Sequence, residues 1–201
     1  MTSPVRLVLA SASSGRLTTL RNAGLSPEVV VSGVDEEGVR AAPAELAQIL
    51  AARKCRAVAG RLDVTGSTVV VGCDSVLEMD GEAFGKPGNT ETAMRRWKRM
   101  RGRSGVLHSG HCVQLLGDGP PLEAVAVGST IVHFAALSDA EVVAYVGTGE
   151  PLQVAGAFTL DGLGGPFVRA IEGDPSNVVG VSLPLLRVLL ARLDVEWPSL
   201  W

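Results

Sequence analysis

Residues 68–75 of the chain read TVVVGCDS, an apolar run that ends in a small polar cluster. A continuous apolar run is typical of a strand covered on both faces, so residues 68–72 predict a central strand of a sheet. Asp74 follows that strand directly, at the place where α/β sheets usually bind ligands. A carboxylate there can hold a divalent cation, or orient and deprotonate a water molecule. The alternative is an Asx turn that only ends the strand.

The rest of the chain alternates strand-like and helix-like patterns. Further strands are predicted at residues 5–10, 28–32, 106–116 and 122–134, and within a glycine-rich region at 154–171. Helices are predicted from Leu17 to a stop at Gly24, and at about residues 43–58, 90–100, 138–145 and 182–193. The chain has no fixed-period repeat and no low-complexity linker. Residues 1–201 are therefore expected to form one mixed α/β (α+β) domain whose two lobes share one core.

The composition argues against several classes of protein. The chain has 201 residues, of which 46% are hydrophobic and 19% charged, with a net charge of -3. A protein that binds nucleic-acid polymers normally presents a basic surface, so this acidic chain is not expected to bind them. The net charge is compatible with a small anionic substrate, because a few local cations are enough to bind one. No window approaches the roughly 20 apolar residues of a membrane span. Three scattered cysteines without CxxC spacing predict buried, reduced thiols in a cytoplasmic protein.

Residues 11–16, SASSGR, lie at a predicted junction between a strand and a helix. Backbone N–H groups at a helix start bind anions, and the hydroxyls of Ser11 and Ser13 add donors. Arg16 can clamp a phosphate with two parallel hydrogen bonds. The segment is not a Walker A loop, because the GxxxxGK[ST] spacing is missing from the chain. The alternative is an ordinary serine N-cap followed by a solvated arginine.

Two lysines and an acidic segment extend this set of candidate residues. Lys86 lies in the sequence FGKP, where glycine and proline restrict the backbone around a single cation. Lys54 lies on the helix that follows the second predicted strand. Residues 35–37, DEE, come shortly after that strand and could complete a metal site of carboxylate oxygens. Solvated lysines and a solvated acidic loop are the alternatives.

The order and spacing of these segments resemble the Maf family of nucleoside triphosphate pyrophosphatases along nearly the whole chain. The resemblance is carried by LVLASASSGR, VDEE, the Lys54 helix, VVVGCDSVL, FGKP, GRSGVLHSGH, AGAFTLDGLGGPFV and IEGDPSNVVGVSLPLL, and it is greatest to the actinobacterial branch. It implies a fold like those of Maf and inosine triphosphatase, with an elongated central mixed sheet flanked by helices and two lobes around a cleft. It also implies hydrolysis of a nucleoside triphosphate between the α and β phosphates, with a divalent cation such as Mg²⁺ or Mn²⁺.

The resemblance assigns a role to each candidate residue. Asp74 falls on the catalytic carboxylate and Glu36 on the acidic position after the second strand, and both would be metal ligands. The residues expected to bind the substrate are Ser11, Ser13, Arg16, Lys54 and Lys86. Their cations would offset the charge of a triphosphate, which otherwise opposes attack by water or hydroxide. The expected partner is a nucleoside triphosphate, and a homodimer is left open.

Several positions depart from the family pattern. Ser75 follows Asp74 where other members carry Thr or Gln, and Val154, Phe158 and Asp161 replace other residues near the expected ligand. These differences leave the phosphate chemistry intact and the nucleobase preference open. One candidate role is the clearance of noncanonical nucleotides. The alternative function is a non-catalytic nucleotide-binding regulator of cell division and septum formation.

The histidines are not predicted to form a metal site. His108 and His111 are three residues apart in a predicted strand, so their side chains should face opposite sides of the sheet. His133 has no such neighbour in sequence, and is expected to be a hydrogen-bonded structural residue.

Overall fold

A seven-stranded mixed sheet forms the centre of the molecule in a computed structural model, which describes residues 5–36, 38–64 and 66–201. The strands are β1 (Arg6–Leu9), β2 (Glu28–Val29), β3 (Thr68–Met79), β4 (Glu82–Phe84), β5 (Ser104–Leu116), β6 (Leu122–Phe134) and β7 (Val168–Glu172). The α-helices are α1 (Ser14–Asn22), α2 (Pro43–Ala59), α3 (Thr90–Met100), α4 (Asp139–Gly147), α5 (Pro175–Val179) and α6 (Leu183–Ala191). The strand order is β2-β1-β3-β5-β6-β7, with β4 also paired to β3. Strand β1 is parallel to β2 and β3, and the remaining pairs are antiparallel, so the predicted mixed α/β class is confirmed.

Strand β3 does not end at Gly72 as predicted, but continues to Met79. Asp74 therefore lies inside the strand, opposite Gly110 of β5. In the sequence, Gly72 resembles a residue that ends a strand, but in the structure it allows α2 to pack closely on β3. A Cβ atom there would lie 2.5 Å from the carbonyl oxygen of Ala51 on α2, so only glycine lets this helix lie directly on the sheet.

The strand that ends beside Asp74 is β1. Leu9 is the last residue of β1 and pairs with Val71, and the N–H of Ala10 donates to the carbonyl of Val71 at 2.8 Å. The chain then turns into α1, leaving the next part of the β3 edge without a neighbouring strand. The prediction that Asp74 lies at the end of its own strand is therefore wrong, and Asp74 lies instead beside the carboxyl end of the parallel strand β1.

Three hydrophobic clusters surround the sheet. On one face of β3, Val71 and Cys73 belong to a cluster with α6, and Leu77 and Met79 belong to a second cluster with α3 and α4. Ser75 lies between these two clusters, so a polar seam crosses that face. The third cluster packs under α2 on the opposite face, which we call the α2 face. The arrangement of two lobes around a cleft stays a prediction.

The five predicted helices are all present, whereas several of the predicted strands have different bounds. Helix α2 begins at Pro43 and α3 spans Thr90–Met100, both as predicted. The second predicted strand is confined to Glu28–Val29. The glycine-rich region at 154–171 forms short 3₁₀ turns before β7, because Gly156 and Ala157 have φ values of 72° and 60° that no strand adopts.

Strand β4 and helix α5 were not predicted. Both are short, and the sequence pattern therefore gave little signal for them. Among the described residues, no helix is both long and apolar enough to cross a membrane.

Candidate active site

Lys54 lies on α2, and its side chain contacts Asp74 on β3. The ammonium nitrogen of Lys54 lies 2.5 Å from Oδ1 of Asp74 and 2.7 Å from Oε1 of Glu36. The side chains of Lys54 and Asp74 are each 10% exposed, whereas that of Glu36 is 46% exposed. Two carboxylates from distant segments thus meet at one buried cation on the α2 face. Glu37, the third residue of the acidic segment, lies outside the described residues.

Burial dominates the electrostatics of Asp74. It raises the pKa of this carboxyl group above its ordinary value, and the negative charge of Glu36 adds to the rise. The charges of Lys54 and Arg16, together with the hydrogen bond from Lys54, partly oppose it. A carboxylate with a raised pKa accepts a proton more readily than an ordinary aspartate, so the setting suits a general base.

Arg16 occupies the part of the β3 edge that β1 leaves uncovered. Its Nη1 donates to the carbonyl of Cys73 at 2.8 Å and to Oγ of Ser11 at 3.0 Å. Its Nε donates to the carbonyl of Gly180 at 2.9 Å, and its Nη2 donates to Oγ of Ser75 at 3.1 Å. These bonds use four of the five N–H donors of a guanidinium group. A bidentate phosphate clamp by Arg16 would therefore require at least one of these bonds to break.

Of the alternative interpretation of the SASSGR segment, the serine N-cap is confirmed and the solvated arginine is wrong. Oγ of Ser13 accepts a hydrogen bond from the N–H of Arg16 at 3.4 Å, so Ser13 is the N-cap of α1. The N–H of Ser13 donates to Oγ of Ser11 at 3.2 Å. Arg16 itself is buried, so the solvated arginine of the alternative interpretation is wrong.

A chain of hydroxyl groups continues from Arg16 into the polar seam. Oγ of Ser109 donates to the carbonyl of Asn177 at 2.9 Å and lies 2.8 Å from Oγ of Ser75. Because the proton of Ser109 is used on Asn177, Ser75 is the donor in the bond between the two hydroxyls. No role is predicted for Ser109 or Asn177 from the sequence, although both lie in segments that carry the family resemblance. Their contact joins residues 68 positions apart, which no local pattern reveals.

Lys86 is not part of this hydrogen-bonded group. It lies exposed in the connection between β4 and α3, and none of the hydrogen bonds or ion pairs within the described residues joins it to Asp74. The backbone around it is held, because the carbonyl of Gly85 accepts bonds from the N–H of Gly156 at 3.2 Å and from Nη1 of Arg96 at 2.5 Å. The FGKP segment is thus a braced loop that presents one exposed lysine.

The carboxylate pair provides the donor chemistry for a divalent cation. Carboxylate oxygens suit Mg²⁺ and Mn²⁺, and Mg²⁺ is usually held by one or two carboxylates together with substrate phosphates and water. Glu36 and Asp74 both approach the Lys54 ammonium group, so they already converge on a positive charge. The described part of the chain contains no group of three or more His, Cys, Asp or Glu side chains that could hold a metal ion.

The three cysteines and the pair His108 and His111 lie as the sequence predicts. The three cysteines are buried and have free thiols, as predicted. Nε2 of His108 lies 2.9 Å from Oε2 of Glu78 on the α2 face, whereas Nε2 of His111 accepts the N–H of Ser182 at 2.8 Å on the opposite side. The two histidines therefore face opposite sides of the sheet, as expected.

The fold and the site together define a mixed α/β protein with buried carboxylate and cationic groups beside the end of a parallel strand. The chain belongs to the family described as Maf-like protein, whose family model matches residues 6–193. The resemblance read from the sequence is thereby confirmed.

Curated relatives match the chain over almost its whole length. A protein of Salinispora tropica is 60% identical over 98% of this chain and 88% of its own length. A protein of Streptomyces coelicolor is 56% identical over 98% of this chain and 94% of its own. One from Mycobacterium sp. (strain JLS) is 50% identical over 98% of both chains. Each of the three is named nucleoside triphosphate pyrophosphatase.

Among solved structures, the Ham1 protein of Staphylococcus aureus aligns with 65% of this chain and 72% of its own. The identity is 18% and the TM-score is 0.38.

Proposed function

We propose that this protein hydrolyses nucleoside triphosphates to nucleoside monophosphates and pyrophosphate, by cleavage between the α and β phosphates. The observation that carries the proposal is the buried Asp74 carboxyl group, which has a raised pKa and is paired with Lys54 beside the end of β1. The names of the relatives support it, because they match this chain at 50–60% identity. The same names favour an enzyme over the alternative of a non-catalytic regulator of cell division.

Asp74 acts as the general base in this proposal. Its carboxylate accepts a proton from the water that attacks the α phosphorus, while the bond from that phosphorus to the bridging oxygen breaks and pyrophosphate leaves. The Lys54 ammonium group holds Asp74 in place and adds positive charge near the phosphates. Because Lys54 is nearly buried, its charge is weakly screened by solvent.

The phosphate-binding residues fall into two groups. Ser11 and Arg16 lie in the hydrogen-bonded group beside Asp74, and Ser13 caps the helix that follows. Lys86 comes from the braced loop after β4, where its exposed side chain is accessible to an anion. In this proposal Arg16 contributes its charge and at most one free N–H donor, and its main effect is to hold Ser11 and Ser75 in position.

We also propose that Asp74 and Glu36 hold the divalent cation, Mg²⁺ or Mn²⁺. When bound, such a cation offsets phosphate charge and lowers the pKa of a coordinated water. Support comes from the convergence of the two carboxylates on one positive charge.

The remaining expectations concern partners and location. Buried free thiols support a cytoplasmic protein, because disulfides are rare in that reducing compartment. A nucleoside triphosphate is the proposed partner. The exclusion of nucleic-acid polymers and the homodimer stay predictions, as does the clearance of noncanonical nucleotides.

Pyrophosphate release from a panel of triphosphates, with and without Mg²⁺ or Mn²⁺, tests the function. We expect Asp74→Asn to lower kcat by about 100-fold or more, because general-base catalysis contributes about that much, and to raise KM by a much smaller factor. Asp118→Asn, in the exposed turn between β5 and β6, is the matched control and should behave as the wild type. Tight binding of triphosphates by the wild type without any product would favour the regulator instead.

A further inference from the structure

A second polar network lies on the α2 face, outside the residues assigned above. Nε2 of His108 on β5 lies 2.9 Å from Oε2 of Glu78 on β3, and Nδ1 of the same ring lies 2.8 Å from Oγ of Ser129 on β6. The His108 side chain is 10% exposed, whereas that of Glu78 is 34% exposed and Ser129 is an exposed residue. The network thus has a buried centre and two ends that solvent or a ligand can reach.

This network lies next to Asp74 on the same face of the sheet. Glu78 is four residues from Asp74 on a strand that pairs with β5 without a register shift, so both side chains project from one face. His108 is opposite Val76, and Ser129 is opposite His108. Since two residues of a strand span about 7 Å, the network begins roughly that far from Asp74 along the sheet. A nucleotide whose α phosphate is at Asp74 can therefore place its sugar over the network.

The hydrogen bonds determine which ligand groups the network can accept. The carboxylate of Glu78 is an acceptor, so Nε2 of His108 carries the proton of that bond. In the neutral ring, Nδ1 is then an acceptor and the hydroxyl of Ser129 donates to it. Oε1 of Glu78 has no hydrogen-bond partner among the described residues, and the oxygen of Ser129 keeps lone pairs. Both ends of the network therefore accept hydrogen bonds.

We infer that Glu78 and Ser129, held in place by His108, bind the sugar hydroxyl groups of the nucleotide whose α phosphate lies at Asp74. Hydroxyl groups are donors that match the two acceptors, and a carboxylate that accepts from ribose hydroxyls is a common element of nucleotide sites. Phosphate groups do not fit here, because the negative charge of Glu78 repels them. The inference rests on the proposed function and adds a determinant of sugar specificity. Glu78 and Ser129 would contact the substrate, and His108 would act as a positioning residue.

The test compares three triphosphates that share one base: the ribonucleotide, the 2′-deoxy form and the 3′-deoxy form. The base is the one that the wild type hydrolyses fastest. A hydrogen bond to a charged group contributes binding free energy that corresponds to about tenfold or more in affinity. We therefore expect kcat/KM of the wild type to fall by about tenfold or more when a bound hydroxyl is removed from the substrate. Glu78→Ala should abolish this dependence, and Glu78→Gln, which keeps an acceptor oxygen, should retain part of it.

The chain offers a closely matched control. Nε2 of His133 lies 2.8 Å from Oε1 of Glu172, and Nδ1 of the same ring lies 2.6 Å from Oγ of Ser104. This second Ser–His–Glu group is farther from Asp74, since His133 is four residues beyond Ser129 on β6. Glu172→Ala removes the same kind of carboxylate and should leave the dependence on sugar hydroxyls at its wild-type value.

The possible results separate the inference from the proposed function. A wild-type protein that releases no pyrophosphate from any triphosphate overturns the proposed function. If the wild type is active but insensitive to both hydroxyls, or if Glu78→Ala keeps the full dependence, only the inference is overturned. Loss of the dependence in Glu78→Ala together with its retention in Glu172→Ala supports it.

Discussion

Arg16 joins three segments of the chain through one side chain. It bonds to the carbonyls of Cys73 on β3 and Gly180 before α6, both in a buried setting. Removal of the guanidinium group leaves these acceptors without donors, so we expect Arg16→Ala to lower the free energy of unfolding by about 2–4 kcal/mol. We expect the same variant to raise KM and lower kcat, because Ser11 loses its support. Denaturant unfolding and steady-state kinetics measure the two effects.

The control for this prediction is Arg21→Ala, which removes an exposed arginine from the last turn of α1. It should change the free energy of unfolding by less than about 0.5 kcal/mol. Wild-type stability in Arg16→Ala would show that Arg16 is a ligand-binding residue without a structural role.

His111 is a buried residue whose ring must stay neutral. Its Nε2 accepts the N–H of Ser182, the N-cap of α6, and its Nδ1 donates to the carbonyl of Ser109. Burial lowers its pKa from 6.5 to about 4, and the nearby charge of Arg16 also lowers it, while the Ser109 bond opposes this shift. Protonation would turn the acceptor that holds Ser182 into a donor.

The depressed pKa of His111 predicts a loss of stability in mild acid. Because its folded pKa lies below the unfolded value, its contribution is complete above pH 6.5 and is lost as the pH falls towards 4. The difference corresponds to about 3 kcal/mol. Urea unfolding between pH 7 and pH 4 should show this loss in the wild type and a weaker pH dependence in His111→Gln. An unchanged slope in His111→Gln would assign the acid sensitivity to other groups.

At the scale of elements, the packing of α2 on the sheet places Lys54 against Asp74. A Cβ atom at Gly110, opposite Asp74, would collide with the carbonyl of Ala47 on α2. We expect Gly110→Ala to displace the helix and lower the free energy of unfolding by about 3 kcal/mol, in the range of overpacked cores. Because the displacement moves Lys54, kcat/KM should also fall. Unfolding and kinetic measurements on the same preparation test both effects.

Gly117→Ala is the control for the α2 packing. Gly117 lies in the turn between β5 and β6, and a Cβ atom there would meet nothing within 4 Å. This variant should keep the stability and the activity of the wild type. If Gly110→Ala is equally harmless, α2 does not need close contact with the sheet at this point.

At the scale of the whole molecule, three long strands connect the hydrophobic clusters. Trp97 is fully buried in the cluster of α3 and α4, whereas Trp197 packs against the cluster of α6. Because β3, β5 and β6 extend through both regions, we expect one cooperative unfolding transition. The fluorescence of Trp97→Phe reports the α6 side, and that of a Trp197→Phe/Trp201→Phe variant reports the α3 side. In each variant, the unfolding midpoint measured by fluorescence should coincide with the midpoint measured by circular dichroism on the same variant.

Two separate transitions in either tryptophan variant would contradict the single domain. They would indicate that each cluster folds with its own part of the sheet, despite the shared strands.

Features that depend on neighbouring residues can be predicted from the amino-acid sequence. Pro43 and Ser138 mark helix starts through local backbone geometry and capping, and both were predicted correctly. The family was also recognisable, because its motifs keep their order and spacing along the chain. Asp74, Lys54 and Glu36 were identified as candidates in this way, and the structure brings these three together.

Features that depend on distant segments emerge only from the folded chain. The continuation of β3 past Gly72 requires β5 as a partner, and the bond between Arg16 and Gly180 joins residues 164 positions apart. The polar networks of Ser109 and His108 likewise combine residues from separate strands. Helix caps and periodicity act within a few residues, whereas strand pairing, burial and close helix packing arise only when remote segments meet.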